Sequence, residues 1–394
     1  MYKKIGIVIF MLLLIAFPLL TFILMPKEEK PFSENENKYL KEFPEVSLDT
    51  IKEEKFMNDF DIWFSDRFFG RETLISAKNK SERVLGKTET DTVYTTNDRM
   101  IQILSEYDDI GASYNKETID TNIGVINDFA KAHPDVPVYF MLCPTSAGIY
   151  DNLISSTVKG VSVNQKDMIN TCYEKLDGVS GIDVSNALSD AKDEYIYYRT
   201  DHHWTSKGAY LAYAAAGSEL EYIPYSSDAY TVETGSDSFQ GTLFSKTLDQ
   251  SVTKDEIDLY TLTDKDINVK VTASNGVKTM EYDSIFFPEY LAVKDKYSTY
   301  LGQNCSVVDI KTNAGTGKSL LLIKDSYANS MVQFLIGNYD RITMLDMRYV
   351  NQYYGNLVNV EDYTQVLFLY NCITFADDAD LIKMSIFRPA ESTP

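Results

Sequence analysis

The 394-residue sequence contains 3 histidines, and two stand side by side in Tyr198-Arg199-Thr200-Asp201-His202-His203-Trp204-Thr205. Imidazole has an ordinary pKa near neutrality, so proton transfer at physiological pH points first to this stretch. If the segment is extended at Asp201, residues two apart share a face. The Asp201 carboxylate then reaches the Nδ1–H of His203 while His202 points away. Such a pair orients a general base and needs a nucleophile. Ser319-Leu320-Leu321-Leu322-Ile323-Lys324-Asp325-Ser326-Tyr327 supplies one: a buried strand, a sharp turn carrying Ser326, then a helix through about Ile336. Backbone N–H groups at that helix's N-terminus are expected to face an oxyanion formed on the substrate. The roles follow: Ser326 attacks, His203 takes its proton and Asp201 orients the imidazole. An Asp-Ser after a strand is by itself an ordinary helix cap, and the Asp201-x-His203 pair is what gives it meaning.

These residues need elements to hold them. Tyr195 to Tyr198 reads as a strand, and Thr205-Ser206 followed by Ala209, Ala212 and Ala216 reads as an N-capped helix, so the motif lies where a strand meets a helix. α/β folds place their sites there. From about Asp91 the pattern alternates: a hairpin over Val93 to Leu104, a helix near Thr118 to Ala132, a strand Val136 to Cys143, a helix near Gln165 to Lys175 and a strand around Gly181 to Val184. Alternation of this kind predicts a mostly parallel sheet with helices on both faces. The loop Cys143 to Gly148 could form a wall of the site. Between about Leu220 and Gly302 short alternating runs such as Ile267 to Thr272 predict a β-rich insertion, a lid or substrate platform.

The N-terminal part differs. Ile5 to Met25 is an apolar run of membrane-spanning length preceded by Lys3 and Lys4, which predicts a signal anchor with residues 1–4 cytoplasmic and the chain from Pro26 outside. No small-x-small cleavage site follows it. Residues 26–90 read as a charged tether passing into amphipathic docking helices over Ile51 to about Leu85, with Trp63 as core. The balance of 37 basic and 58 acidic residues, net −21, repels nucleic acid and anionic lipid alike. Cys143, Cys172, Cys305 and Cys372 show neither CxxC nor metal-type spacing, and no bridge is assigned. His133, before Pro134, reads as a helix C-cap or surface residue.

Thr200-Asp201-His202-His203-Trp204-Thr205 matches the motif that names the DHHW family. Paired with a later strand-Asp-Ser, it resembles the SGNH-hydrolase-like O-acetyltransferases of exopolysaccharide modification, including the alginate acetylation proteins. The resemblance runs from Ser33-Glu34-Asn35-Glu36-Asn37-Lys38 through Asp346-Met347-Arg348-Tyr349 to the last strand, Gln365 to Asn371. It implies Ser326 as nucleophile, His203 as base and Asp201 as its partner. Lys324 stands where the family has Gly. Arg348, Asn371 and Trp204 are candidates for substrate contact beside their packing and salt-bridging readings.

Two similarities lead elsewhere and are set aside. Gly315-Thr316-Gly317-Lys318-Ser319 resembles the end of a P-loop, but Thr312 holds the place of the first Gly and the run precedes its strand, so it reads as a turn. Asp201-His202-His203 also resembles the DHH phosphoesterases, which use several further Asp and His metal ligands, whereas the one other histidine here is His133 before a proline, so a metal site is poorly supplied with imidazoles. The expectation is an α/β, flavodoxin-like SGNH domain over 91–394, needing neither metal nor cofactor, that transfers or hydrolyses O-acetyl groups of a cell-surface polysaccharide. A membrane-bound O-acyltransferase is the partner the resemblance implies. A noncatalytic glycan-binding or scaffold protein of the cell envelope is the alternative.

Overall fold

Leu320 to Ile323 and Val366 to Leu369 are apolar at every position, a pattern that suits strands covered on both faces. In the computed structural model, which describes residues 2–25, 31–107 and 110–386, these runs lie at the centre of a sheet. Its strands in chain order are β1 Val138–Cys143, β2 Ser180–Gly181, β3 Val269–Ser274, β4 Thr279–Tyr282, β5 Val307–Thr312, β6 Ser319–Lys324, β7 Arg341–Leu345 and β8 Gln365–Asn371. Their order across the sheet is β4-β3-β5-β7-β6-β8-β1-β2. The run β7-β6-β8-β1-β2 is parallel. The predicted insertion contributes β3 and β4, which join the sheet edge antiparallel through β5 and are thus part of the main sheet. A separate hairpin, Tyr230–Phe239 with Asp255–Leu262, makes up the rest of its regular β-structure.

Counted from β6 to β8 and then on to β1 and β2, the parallel strands stand second, first, third, fourth, fifth, the flavodoxin-like order. The chain enters that order part-way through. The loop after β2 therefore comes early in the sequence although it follows the last strand of the pattern. This explains how an Asp-His pair can precede its serine. The topological switch point, where such folds bind ligands, falls between β6 and β8 at their C-terminal ends.

Alternate residues of the central strands enter different cores. Leu320, Leu322, Leu367 and Leu369 pack with the helices α3 Ser206–Ala216 and α4 Tyr327–Leu335. Leu321, Ile323, Val366 and Phe368 pack with α1 Lys116–Ala132, α2 Gln165–Glu174 and α5 Cys372–Asp377. Both faces of the sheet are covered, as the alternation predicts. Each fully buried Leu or Ile here contributes about 1.5–3 kcal/mol. His133 caps α1 and bonds Glu361 and Tyr354 at 2.8 and 2.9 Å. All four cysteines are buried free thiols. The P-loop-like turn wraps the Asp340 carboxylate, which accepts from the Thr316 and Gly317 N–H groups at 2.9 and 2.8 Å.

Residues up to Thr90 together with Phe244–Ser251 form one compact unit; Asp91–Leu243 and Val252 onward form the other. Within the first, the expected docking region forms helices Leu48–Lys52, Lys55–Asp66 and Arg71–Val84. Trp63 is buried, with Phe43 edge-on at 5.0 Å. Asn79 bonds the Thr247 carbonyl, and Arg83 pairs with Asp249 at 3.0 Å. The apolar N-terminal run forms a helix, Tyr2–Leu24, with Pro18 inside it. Phe17 stacks on Phe68 at 5.7 Å, and Thr21 Oγ1 accepts the Phe69 N–H at 2.9 Å, so part of this helix is engaged within the unit. Among the described residues no helix is long and apolar enough to cross a membrane, and the expected span lacks support from the structure.

Candidate active site

Tyr195 to Tyr198 is not the strand its aromatic pattern predicts. The segment folds back on itself, with an isolated bridge between Tyr197 and Trp204. Tyr198 N–H donates to His203 O at 3.2 Å, and Thr205 N–H to Ile196 O at 3.0 Å. Burial replaces ladder pairing: Ile196, Tyr197, Tyr198 and Trp204 are all fully enclosed. The bend is fastened by Asp255, whose buried carboxylate accepts from Tyr195 OH at 2.5 Å and from the Arg199 N–H at 2.6 Å. Its second oxygen takes the N–H and hydroxyl of Thr200, at 2.8 and 2.5 Å. Tyr197 OH ties the loop to Pro144 O at 2.6 Å, which makes the Cys143–Gly148 loop a support of the motif.

The bend brings the expected residues together, by a turn instead of an extended chain. Asp201 Oδ1 accepts both the His203 N–H at 3.0 Å and its Nδ1–H at 2.6 Å. His203 Nε2 lies 2.7 Å from Ser326 Oγ. Asp201 and His203 are buried, while Ser326 is partly exposed, so the hydroxyl is the member that a substrate can reach. Asp201 Oδ2 accepts the N–H and hydroxyl of Thr242 at 2.8 and 3.1 Å. Burial alone would push the Asp201 carboxyl up. The positive charge available on His202 and His203 and the bonds from His203 and Thr242 outweigh it and hold the group well below the usual range. His202 does not point away: its ring lies 3.8 Å from that of His203, and its Nδ1 is 2.7 Å from Thr242 Oγ1. A Cβ on Gly241 would collide with the Asp201 carboxylate, so only glycine allows this close approach.

Ser326 stands between β6 and α4. Asp325 braces the turn: its carboxylate accepts Tyr327 N–H at 2.8 Å, Asn371 N–H at 2.7 Å and Asn371 Nδ2 at 2.6 Å. The Tyr327 N–H is therefore not open to an oxyanion, contrary to the expectation for the helix N-terminus. Among the described residues no acceptor takes the Ser326 N–H, which leaves it as the donor at the turn. Asn371 also caps α5, accepting from Ile373 N–H and Thr374 N–H, so its side chain is occupied within the fold. Trp204 is enclosed, its indole N–H 3.1 Å from Tyr327 O and 3.0 Å from Ser330 Oγ. Arg348 grips Asp346 through Nε and Nη2 at 2.8 and 2.6 Å and remains partly exposed. Lys324 is buried, bonding Asn329 at 2.9 Å and Asp346 at 3.2 Å.

Donor atoms of Asp201, His202 and His203 lie within 4.8 Å of one another, close enough for a metal ion. Both ring nitrogens of His203 and both oxygens of Asp201 are already bonded, so coordination would dismantle the Ser-His-Asp chain. Residues that the sequence reading missed complete the site: Gly241, Thr242, Asp255 and Tyr297, whose ring lies parallel to that of His203 at 3.7 Å. All come from the segment read as a lid or platform.

Among solved structures, a DHHW family protein from Eubacterium siraeum is 27% identical with a TM-score of 0.62, covering 71% of this chain and 92% of that one. Bacillus cereus PatB1, in a structure with a sulfonyl adduct, is 18% identical with a TM-score of 0.61, covering 77% of this chain and 99% of its own, which shows a shared fold. The O-acetyltransferase domain of Pseudomonas putida AlgJ is more remote, at 14% identity and a TM-score of 0.40, covering 70% of this chain and 88% of its own. No curated protein matches the chain. The sequence model of the DHHW protein family matches residues 90–345, nearly the whole stretch that builds the site, and the chain belongs to that family.

Proposed function

We propose that the protein is a serine O-acetyltransferase or acetylesterase acting on a cell-surface polysaccharide through an acyl-enzyme on Ser326. The observation that carries the reading is the continuous hydrogen-bond chain from Asp201 through His203 to Ser326 Oγ. His203 Nε2 takes the Ser326 proton as Oγ attacks the acyl carbonyl, and Asp201 offsets the imidazolium that forms. The tetrahedral oxyanion meets the Ser326 N–H. On collapse, Nε2 returns the proton to the leaving alkoxide and the acyl group stays on Ser326. An acceptor hydroxyl, from a sugar or from water, then gives its proton to Nε2 and takes the acyl group, and Nε2 returns that proton to the departing Ser326 Oγ. Family membership and the fold shared with PatB1 support this class of chemistry.

The apolar run of residues 5–25 behind Lys3 and Lys4 supports a site held outside the cytoplasmic membrane, where a membrane-bound O-acyltransferase would supply acyl groups. A chain lacking residues 1–25 is expected to leave the membrane fraction; its retention there would reject the anchor. The engaged Tyr327 N–H favours the second reading, a noncatalytic glycan-binding scaffold with the same fold. Acetyl release from p-nitrophenyl acetate, together with labelling by a sulfonyl fluoride, separates the two. Turnover and labelling that vanish in Ser326→Ala are expected, and equal turnover in that variant would reject Ser326 as nucleophile.

A further inference from the structure

Tyr297 lies in a short helical turn, Lys296–Thr299, between β4 and β5, and touches both ends of the proton path. Its ring stacks on His203 with centroids 3.7 Å apart and planes 8° from parallel. Its hydroxyl donates to the Ser326 carbonyl at 2.9 Å and sits 3.1 Å from Ser330 Oγ. The side chain is buried and held edge-on by Tyr198 at 6.3 Å and by Tyr300 at 5.3 Å, so the ring has nowhere to swing. His202 lies 3.8 Å from the same imidazole. Two rings that close cannot share one face, so His203 is clamped between them.

We infer that Tyr297 is a positioning residue: its ring fixes the His203 imidazole and stabilises its charged form, while its hydroxyl holds the backbone of Ser326 at the matching distance. The face of an aromatic ring is negative and attracts a cation, so the stack gains strength when His203 takes the proton. Burial keeps the Tyr297 hydroxyl protonated and hence a donor. The other groups around His203 are Asp201 and His202 on its own loop, and Tyr327 at 5.6 Å on α4. Asp325 and the exposed Asp295 lie close enough to act on Tyr297 and on Asp201 and His202, respectively. Tyr297 is the group that reaches His203 and Ser326 together.

The inference rests on the proposed role of His203, and the test keeps the two apart. NMR titration of His203 in the full chain, assigned with His203→Gln, is compared for wild type, Tyr297→Phe and Tyr297→Leu, alongside sulfonyl-fluoride labelling of Ser326. Tyr297→Phe keeps the ring, so the titration should stay in place while labelling slows about tenfold through the lost bond to the Ser326 carbonyl. Tyr297→Leu removes the ring, which should lower the His203 pKa by about 0.5–1.5 units and slow labelling further. An unshifted titration in the folded leucine chain overturns the inference. If that chain does not fold by its melting profile, wild-type labelling in Tyr297→Phe overturns it instead. A wild-type chain that neither turns over nor labels, yet shows the shift on Tyr297→Leu, rejects the enzyme and leaves the pairing intact.

Discussion

Asp201, in the loop after β2, and Asp346, just past β7, are both nearly inaccessible to water, and both carboxyls are held below their usual range. They differ in what faces them. For Asp346, burial works against the charge, but it is outweighed by the fixed guanidinium of Arg348 at 2.6 Å and by the Lys324 ammonium at 3.2 Å, whose own burial pulls its pKa down. Around Asp201 stand two imidazoles, backbone N–H groups and a hydroxyl, none permanently charged. A carboxylate already neutralised by fixed cations has little left to give when a charge appears nearby. Asp201 gains a counter-charge only when one of its imidazoles, His203 or His202, takes a proton, so its stabilisation of His203 is drawn on when that ring is charged. The Asp346 cluster braces the C-terminal ends of the inner strands β6 and β7, and the Asp201 cluster answers the chemistry.

The sharpest way to break this contrast is to remove members of each cluster in turn. Ser326→Ala or His203→Ala should lower kcat by about four to six orders of magnitude with KM little changed, because such a triad acts as a unit. Asp201→Asn keeps the shape and the contact with the Thr242 N–H but removes the charge. A fall of about 10⁴ in kcat with an unchanged melting profile is expected by steady-state assay. A loss under tenfold would place Asp201 in the bracing class and end the comparison. Asp346→Ala should show the opposite signature: it strands Lys324 in a buried site and leaves the partly exposed Arg348 unpaired, at a cost of about 3–5 kcal/mol by urea unfolding. The folded fraction should keep most of its kcat. Should the melting curve stay put while kcat collapses, the assignment of roles is reversed.

How much of this contrast was visible beforehand follows from the range of the interactions. Asp201, His203 and Ser326 could be read because each lies in a local pattern, an Asp-x-His and a strand followed by a serine turn. The central strands and their helices were legible for the same reason. The supports were not. Thr242 meets Asp201 across 41 residues and Asp255 meets Thr200 across 55, and nothing in their own neighbourhoods announces the partner. Tyr297 is one of 28 tyrosines, so its type carries no signal. Tyr195 to Tyr198 was misread as a strand because aromatic alternation marks burial, and burial can be met by a packed bend as well as by a ladder. Likewise the alternation that identified β3 could not say that it would pair with β5. Lys324, an apparent defect against the family pattern, proves to be the buried partner of Asp346, which Arg348 grips from the other side.

A third buried carboxylate, Asp378 at the end of α5, has the support of neither cluster and should give the smallest effect. Its Oδ1 accepts the Asp380 N–H at 2.8 Å, while its Oδ2 has no hydrogen-bond partner among the described residues. Burial, with the like charges of Asp380 and Asp346, pushes the carboxyl up to about 6 against the opposing Asp380 N–H and Arg348. Because the folded value lies above the unfolded one, the protonated group's contribution to stability is fully present below about pH 4 and is lost as pH rises through about 6. A shift of about two units corresponds to at most roughly 3 kcal/mol. Asp378→Asn keeps the Oδ1 acceptor and removes the ionisation, so it should raise stability at pH 7.5 by about 1–3 kcal/mol over wild type and leave it unchanged at pH 4. Urea unfolding at the two pH values decides: an equal difference at both would mean that Asp378 ionises at no cost to the fold, and that a buried carboxylate here needs neither a cation nor an imidazole to become charged.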